Sequence, residues 1–282
     1  MKYFIIGLIT LLVAFAPANS IGSVPTSQEI TDLRQKALKG DAESQNSLGL
    51  FYHFGQGVRK NYTEAMKYYR LAAAQGHPMA QNNIGEMYRN GDGVSQDYSE
   101  ALKWYKLAAS QALPLAENNI GTMYAQGQGM PQDYAEASKW FKIAAAQGLD
   151  MAENNLGYLY QNGLGVTKDY DEALKWYQLS AEQNLDLAQN NLGTMYLLGE
   201  GVKQDFSEAI KWFMLAAEQG LDLAQNNLGT MYAEGQGVKQ DYNEAIKWFK
   251  LAAEQGNELA VSNLKMIQEQ GLGETQANEK TK

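Results

Sequence analysis

Two histidines, His53 and His77, thirty-two Asp and Glu residues and one Ser-x-x-Lys string, Ser262 to Lys265, are the side chains of this 282-residue chain that could transfer a proton or attack a carbonyl. None of them forms a constellation. The histidines are not at helical metal-pair spacing, there is no cysteine to complete a metal site, and no triad is visible. Both histidines read as surface residues. The Ser-x-x-Lys string lacks the Ser-Asp-Asn and Lys-Thr-Gly partners that acyl-enzyme chemistry requires. The carboxylates recur at fixed intervals, as Asp97/Glu100, Asp133/Glu136, Asp169/Glu172, Asp205/Glu208 and Asp241/Glu244, with Asn61/Glu64 before them. That spacing suits a helix capping box, in which the Asp accepts from free backbone N–H groups and the Glu reaches back. Pairs such as Glu100 with Lys103 account for more of them. The chain is expected to catalyse no reaction and to need no cofactor or metal.

Amides at constant spacing point to binding instead. The marker Leu48-Gly49 recurs every 36 residues as Ile84-Gly85, Ile120-Gly121, Leu156-Gly157, Leu192-Gly193 and Leu228-Gly229. At about 100° per residue, the positions two before, two after and five after the marker point away from the marker's own face. Two before is always Asn, including Asn82, Asn118, Asn154, Asn190 and Asn226. Two after varies, with Glu86, Thr122, Tyr158, Thr194 and Thr230, and five after includes Arg89. These eleven residues are the candidate partner-binding set: the asparagines would bond the backbone of an extended peptide through one donor and one acceptor each, while the varied columns read its side chains. Duplication of a tolerated polar residue on a wet face would leave the same invariant column. The second Asn of each pair, such as Asn83, Asn119 and Asn155, points sideways toward an adjacent repeat.

The elements that position these residues follow from the same period. Ala80, Ile84, Met87 and Tyr88 make the stripe of one helix, helix A, which stops at Gly91; the pair Gly91/Gly93 returns in every unit and supplies the left-handed backbone of the turn. Helix B opens at Asp97 and carries Tyr98, Ala101, Tyr105, Ala108 and Ala109 on its apolar stripe. All five tryptophans, Trp104, Trp140, Trp176, Trp212 and Trp248, fall in one helix B slot, where large side chains are expected to wedge between repeats. A period of this length means an α-solenoid of antiparallel helix pairs, because each hairpin buries its apolar face only against its neighbours. The expected organisation is a capping helix over 26–40, six repeats over 44–259, a C-terminal half-repeat over 260–271 and a disordered polar tail over 272–282. Lys265 stands where the last unit should carry Gly.

Lys2, the apolar run Tyr3 to Phe15 and the small residues at Ala16-Pro17-Ala18 or Ala18-Asn19-Ser20 predict a signal peptide over 1–20. The run is well short of the roughly 20 residues that span a bilayer, so no membrane insertion is expected after cleavage. The expected address is the periplasm or the medium. The formal net charge of −9 becomes −10 once Lys2 leaves with the leader, which argues against nucleic acid and anionic lipid as partners.

The unit Ala80-Gln81-Asn82-Asn83-Ile84-Gly85, Tyr88, Gly91, Gly93-Val94, Asp97-Tyr98, Glu100-Ala101, Lys103-Trp104-Tyr105, Leu107-Ala108-Ala109 and Gln111 resembles the SEL-one-like repeat, a relative of the tetratricopeptide repeat. Six full and two half copies cover nearly all of the mature chain. The resemblance implies a right-handed superhelix with helix A lining its concave side, and a scaffold that holds a protein or extended peptide there. A cysteine-rich branch of the family is associated with binding or hydrolysing β-lactams, but this chain lacks those cysteines. Cell-wall glycan, stacked on exposed aromatics such as Tyr158, is the alternative ligand.

Overall fold

The computed structural model describes residues 25–273; the expected leader over 1–20 and most of the expected tail lie outside the described residues. Among the described residues there are fourteen helices and no strand: α1 (Ser27–Leu38), α2 (Ala42–Phe54), α3 (Tyr62–Ala73), α4 (Pro78–Asn90), α5 (Tyr98–Ala109), α6 (Pro114–Gln126), α7 (Tyr134–Ala145), α8 (Asp150–Asn162), α9 (Tyr170–Glu182), α10 (Asp186–Leu198), α11 (Phe206–Glu218), α12 (Asp222–Glu234), α13 (Tyr242–Glu254) and α14 (Glu258–Glu269). The even-numbered helices are helix A of successive repeats and the odd-numbered ones from α3 onward are helix B, so the chain is an all-α solenoid. Its contacts divide into two compact units, one holding residues 25–152 and the other 153–273.

The second repeat shows how local sequence writes the hairpin. Pro78 starts α4, and the His77 ring accepts from Ala80 N–H at 3.2 Å. Gly91, at φ 78°, ends the helix, and the N–H groups of Gly91 and Asp92 both donate to the Met87 carbonyl at 2.9 Å. A side chain there would strain the left-handed backbone. Asp97 N–H then donates to Tyr88 O at 2.9 Å and the Gln96 amide to Arg89 O at 2.8 Å, which closes the loop onto the end of α4. Asp97 caps α5 through Glu100 N–H at 2.9 Å.

The other half of the expected capping box forms differently. Glu100 accepts from Lys103 at 2.8 Å and from the Trp104 indole at 3.1 Å, both one turn further on, in place of reaching back to the cap. Reciprocal closure occurs at the start of α1, where Thr26 and Glu29 exchange bonds and no such competitor follows.

Packing within a repeat depends on the glycine after the marker. A Cβ added to Gly85 would lie 2.7 Å from the Tyr105 ring, and one added to Gly193 would lie 2.8 Å from Phe213. Helix B therefore presses a fully buried aromatic onto the backbone of helix A. Packing between repeats uses the tryptophans as expected: Trp104 lies against a core made of Ala65 and Tyr69 from α3 and Ile84 and Met87 from α4.

At the C-terminal end, Lys265 fills the glycine slot with an exposed side chain, and Val261 is half exposed. The periodic pattern nevertheless runs past residue 271, where the sequence reading ended it. Gly271 and Gly273 adopt positive φ, as in the other helix A loops, and Leu272 packs on the last core cluster with Ile267.

Gly193→Ala is expected to lower stability by about 1–3 kcal/mol, the overpacking penalty outweighing the better helix propensity of alanine. Thermal or urea unfolding of the variant checks it, and an unchanged midpoint would refute the close contact.

Candidate functional site

Helix A is enclosed on almost every side, and this corrects the placement of the candidate binding set. Asn82, Asn118, Asn154, Asn190 and Asn226 are fully buried, as are Thr122, Thr194 and Thr230; Arg89 is 3% exposed and Glu86 8%. Tyr158 alone of the set is half-buried. The reason is a ladder between repeats. Asn119 donates its amide to Asn82 Oδ1 at 2.9 Å, Asn191 to Asn154 at 2.9 Å, Asn227 to Asn190 at 3.0 Å and Asn263 to Asn226 at 2.9 Å, with Asn83 to Asn46 at 3.0 Å preceding them. The second Asn thus bonds the adjacent repeat as read from sequence, and its acceptor is the column assigned to a peptide. The threonines turn inward as well: Thr122, Thr194 and Thr230 donate to the carbonyl four residues back at 3.0–3.1 Å.

A second ladder, inside each repeat, escaped sequence reasoning. The glutamine near the end of helix B donates to the residue three before the marker: Gln75 to Gln45, Gln111 to Gln81, Gln147 to Glu117, Gln183 to Glu153, Gln219 to Gln189 and Gln255 to Gln225, at 2.6–2.9 Å. Both members recur in the sequence 30 residues apart, a signal that only a comparison across repeats exposes. Glu117 has its carboxyl raised above the usual range by burial, with the Gln147 bond opposing the shift.

The first two repeats also enclose charge. Glu86 accepts from the Asn82 amide at 3.3 Å, and burial pushes its carboxyl up to about 7, with the Arg89 charge and amides of Asn82 and Asn119 opposing that shift. Tyr105, fully buried nearby, is raised well out of the ordinary phenol range by burial. His53, read as a surface residue, is only 6% exposed. It lies between Tyr69 and Asp92, each 3.3 Å from one ring nitrogen.

The accessible surface lies on helix B. Leu71, Leu107 and Ile143 occupy one slot and are 45%, 46% and 47% exposed, followed in the later repeats by Leu179, Leu215 and Leu251 at 40–45%. In the first three repeats each is preceded by a cation, Arg70, Lys106 or Lys142, and followed three positions later by Ala74, Ser110 or Ala146. In the last three repeats that later position is Glu182, Glu218 or Glu254. Among the described residues there is no group of His, Cys, Asp and Glu suited to a metal, and no helix long and apolar enough to cross a membrane.

The Sel1 repeat matches six consecutive segments, residues 42–77, 78–113, 114–149, 150–185, 186–221 and 222–257. Among solved structures, a protective antigen of uropathogenic Escherichia coli with an SLR fold is 43% identical, with a TM-score of 0.72; the alignment covers 86% of this chain and 52% of that one. The chain thus spans about half the length of that protein. A Sel1 repeat protein from Oxalobacter formigenes is 36% identical, with a TM-score of 0.72, over 80% of this chain and 99% of that one. An immunity protein from Pseudomonas aeruginosa, 20% identical with a TM-score of 0.52 over 84% of this chain and 85% of that one, shares the fold. No curated protein sequence matches the chain.

Two outcomes follow from the buried polar groups. Asn190→Ala leaves the Asn227 amide without its acceptor and is expected to destabilise by about 1–3 kcal/mol in urea unfolding; an unchanged midpoint would return the column to the surface role read from sequence. Glu86 binds its proton more tightly when folded, so wild-type stability falls as pH rises from the ordinary carboxyl value through about 7. Glu86→Gln should therefore match wild type near pH 5 and exceed it by up to about 3 kcal/mol near pH 8. Parallel pH dependences for the two proteins would contradict the buried, proton-holding carboxyl.

Proposed function

Because the chain belongs to the Sel1 repeat family, whose fold generally serves as a protein–protein interaction scaffold, we propose that it is a non-enzymatic adaptor holding a polypeptide partner, and that the first three repeats present the docking ridge. The observation that carries this reading is the exposed column Leu71, Leu107 and Ile143 with Arg70, Lys106 and Lys142 beside it. Isolated apolar side chains on a surface are ordinary; the same half-exposed side chain beside a cation in three successive hairpins is a patterned surface. The partner it fits is a segment whose apolar residues are flanked by Asp or Glu, since charge complementarity gives specificity and speeds encounter. In the later repeats the preceding residue is Gln178, Met214 or Lys250, and Glu182, Glu218 and Glu254 would repel such a segment.

The leader read from Lys2 and the run Tyr3 to Phe15 supports export, and the proposed address is the periplasm or the medium. Repeats of this family are typically non-catalytic, which agrees with the absence of any recognisable catalytic motif in the sequence.

Fluorescence anisotropy with two labelled peptides tests the docking surface, one alternating Leu with Glu and the other Leu with Lys. The acidic peptide is expected to bind, more weakly as salt screens the contact, and Lys106→Glu should reduce binding several-fold with an unchanged melting temperature. Equal binding of both peptides would refute the charge argument. Binding of peptidoglycan fragments with no binding of either peptide would replace this reading by the glycan one.

A further inference from the structure

Two of the buried slots vary together from repeat to repeat. Where the helix B aromatic is Tyr, as at Tyr69, Tyr105 and Tyr177, the helix A residue five after the marker is polar: His53, Arg89 and Gln161. Where it is Phe, as at Phe141, Phe213 and Phe249, that residue is Ala125, Leu197 or Ala233. In two repeats the polar pair reaches onward to a carboxylate in the helix A loop of the following repeat.

Tyr177 donates its hydroxyl to Gln161 Oε1 at 3.0 Å, and Gln161 Nε2 donates to Glu200 Oε2 at 2.7 Å. In the first repeat Tyr69 lies 3.3 Å from His53 Nδ1 and His53 Nε2 lies 3.3 Å from Asp92 Oδ2. The sequence separations, 16 and 39 residues, are the same in both chains of bonds. The polarity matches too. An ionised carboxylate only accepts, so the His53 proton belongs on Nε2, and Nδ1 is left to accept from the tyrosine, as Gln161 Oε1 does.

The two differ in one property: imidazole takes up a proton in the physiological range and an amide does not. Protonation puts a hydrogen on Nδ1, the Tyr69 hydroxyl must then accept, and its own hydrogen turns into a fully buried surrounding. We propose that Tyr69, His53 and Asp92 form a proton-responsive clasp joining the first repeat to the second, and that Tyr177, Gln161 and Glu200 are its fixed counterpart between the fourth and fifth.

The groups around the ring set the direction of the response. Phe54 on α2 stacks on it and Tyr62 on α3 meets it edge-on. Burial holds the imidazole below its ordinary value, more strongly than the Asp92 carboxylate raises it, and Lys60 in the α2–α3 loop lowers it further. Glu86 on α4 and Asp92 act on the Tyr69 hydroxyl, and Arg89 faces Glu86. With the folded value below the unfolded one, stability is retained at pH above the ordinary histidine value and lost as pH falls beneath it. Glu86 acts in the opposite sense, so each variant is compared with wild type at the same pH.

The test uses His53→Gln in the full chain, which copies the fourth repeat's clasp into the first. Circular dichroism melting from about pH 8 to about pH 5.5, across the histidine range, is combined with amide hydrogen exchange over residues 42–73 of α2 and α3. At the upper pH the variant should melt with wild type. At the lower pH it should melt higher by about 2–5 °C and keep protection in α2 and α3 that wild type loses. Equal acid loss in the two proteins would overturn the proposal. Should His53→Gln not fold, Tyr69→Phe decides: it removes the hydroxyl that has to reverse, so the His53 ring titration followed by NMR should move upward, and an unmoved titration would overturn the clasp.

Discussion

The close seating of helix B on helix A at the glycine after each Leu/Ile marker is the constraint from which most of the structure follows. With an aromatic ring within about 3 Å of where a Cβ would stand, helix A is pinned on that side. Its flanks then meet helices of the adjacent repeats, and almost no surface of it remains in water. A buried polar side chain on helix A is under pressure to find a partner inside the protein, because an unmade hydrogen bond in such surroundings costs far more than a made one contributes. The Asn ladder supplies one bond per rung between repeats, leaving Nδ2 of Asn154 and Asn190 and Oδ1 of Asn119 and Asn191 buried without a bond, and the Gln ladder supplies one bond within each repeat. The two ladders are therefore consequences of the glycine contact as much as additions to it.

Much of the fold was legible because its signals are local. The glycine pair at 91 and 93, the Asp caps of helix B and the tryptophan slot each act through chemistry confined to a turn or a single contact, and each is found where the sequence put it. The candidate site was not legible in the same way. A helix with one apolar stripe is ordinarily wet on its other side, and by that rule Asn118, Thr122 and their equivalents belong on a surface. Helix A breaks the rule because its polar side is covered by copies of itself. The clue was the Asn-Asn pair of the second to sixth repeats, since amides recurring in two neighbouring columns are what a ladder between like helices needs.

The Glu of the capping motif in the second repeat failed for a similar reason. Glu100 has the spacing to reach back to its cap, but Lys103 and Trp104 follow it on the same face and take both carboxylate oxygens. Spacing states which bonds can form, and competition among neighbours decides which do. His53 is the same lesson in another form: a histidine on the far side of an amphipathic stripe looks exposed until the next repeat brings Asp92 against it.

Variation among the repeats accordingly sits in two places with different meanings. Inside, Tyr is paired with His, Arg or Gln in three repeats and Phe with Ala or Leu in the other three, and in two of the Tyr repeats the pair reaches onward to a carboxylate of the next, so the repeats are chemically unlike although their backbones repeat. Moving the first or fourth repeat beside a neighbour without the loop carboxylate would leave the His53 ring or the Gln161 amide without its onward partner, and single buried polar groups of this kind are known to fix register in other helical assemblies. Outside, the apolar column is constant while the position three after it changes from Ala74, Ser110 and Ala146 to Glu182, Glu218 and Glu254, and the position before it from Arg70, Lys106 and Lys142 to Gln178, Met214 and Lys250. Internal differences can hold each hairpin in its place along the stack only because they are hidden from a partner. External differences can tell a partner which half of the stack it has met only because they are not needed for packing. Separating the two sets of positions lets the outer residues vary, as the proposed docking ridge requires, without disturbing the bonds that pack one repeat on the next.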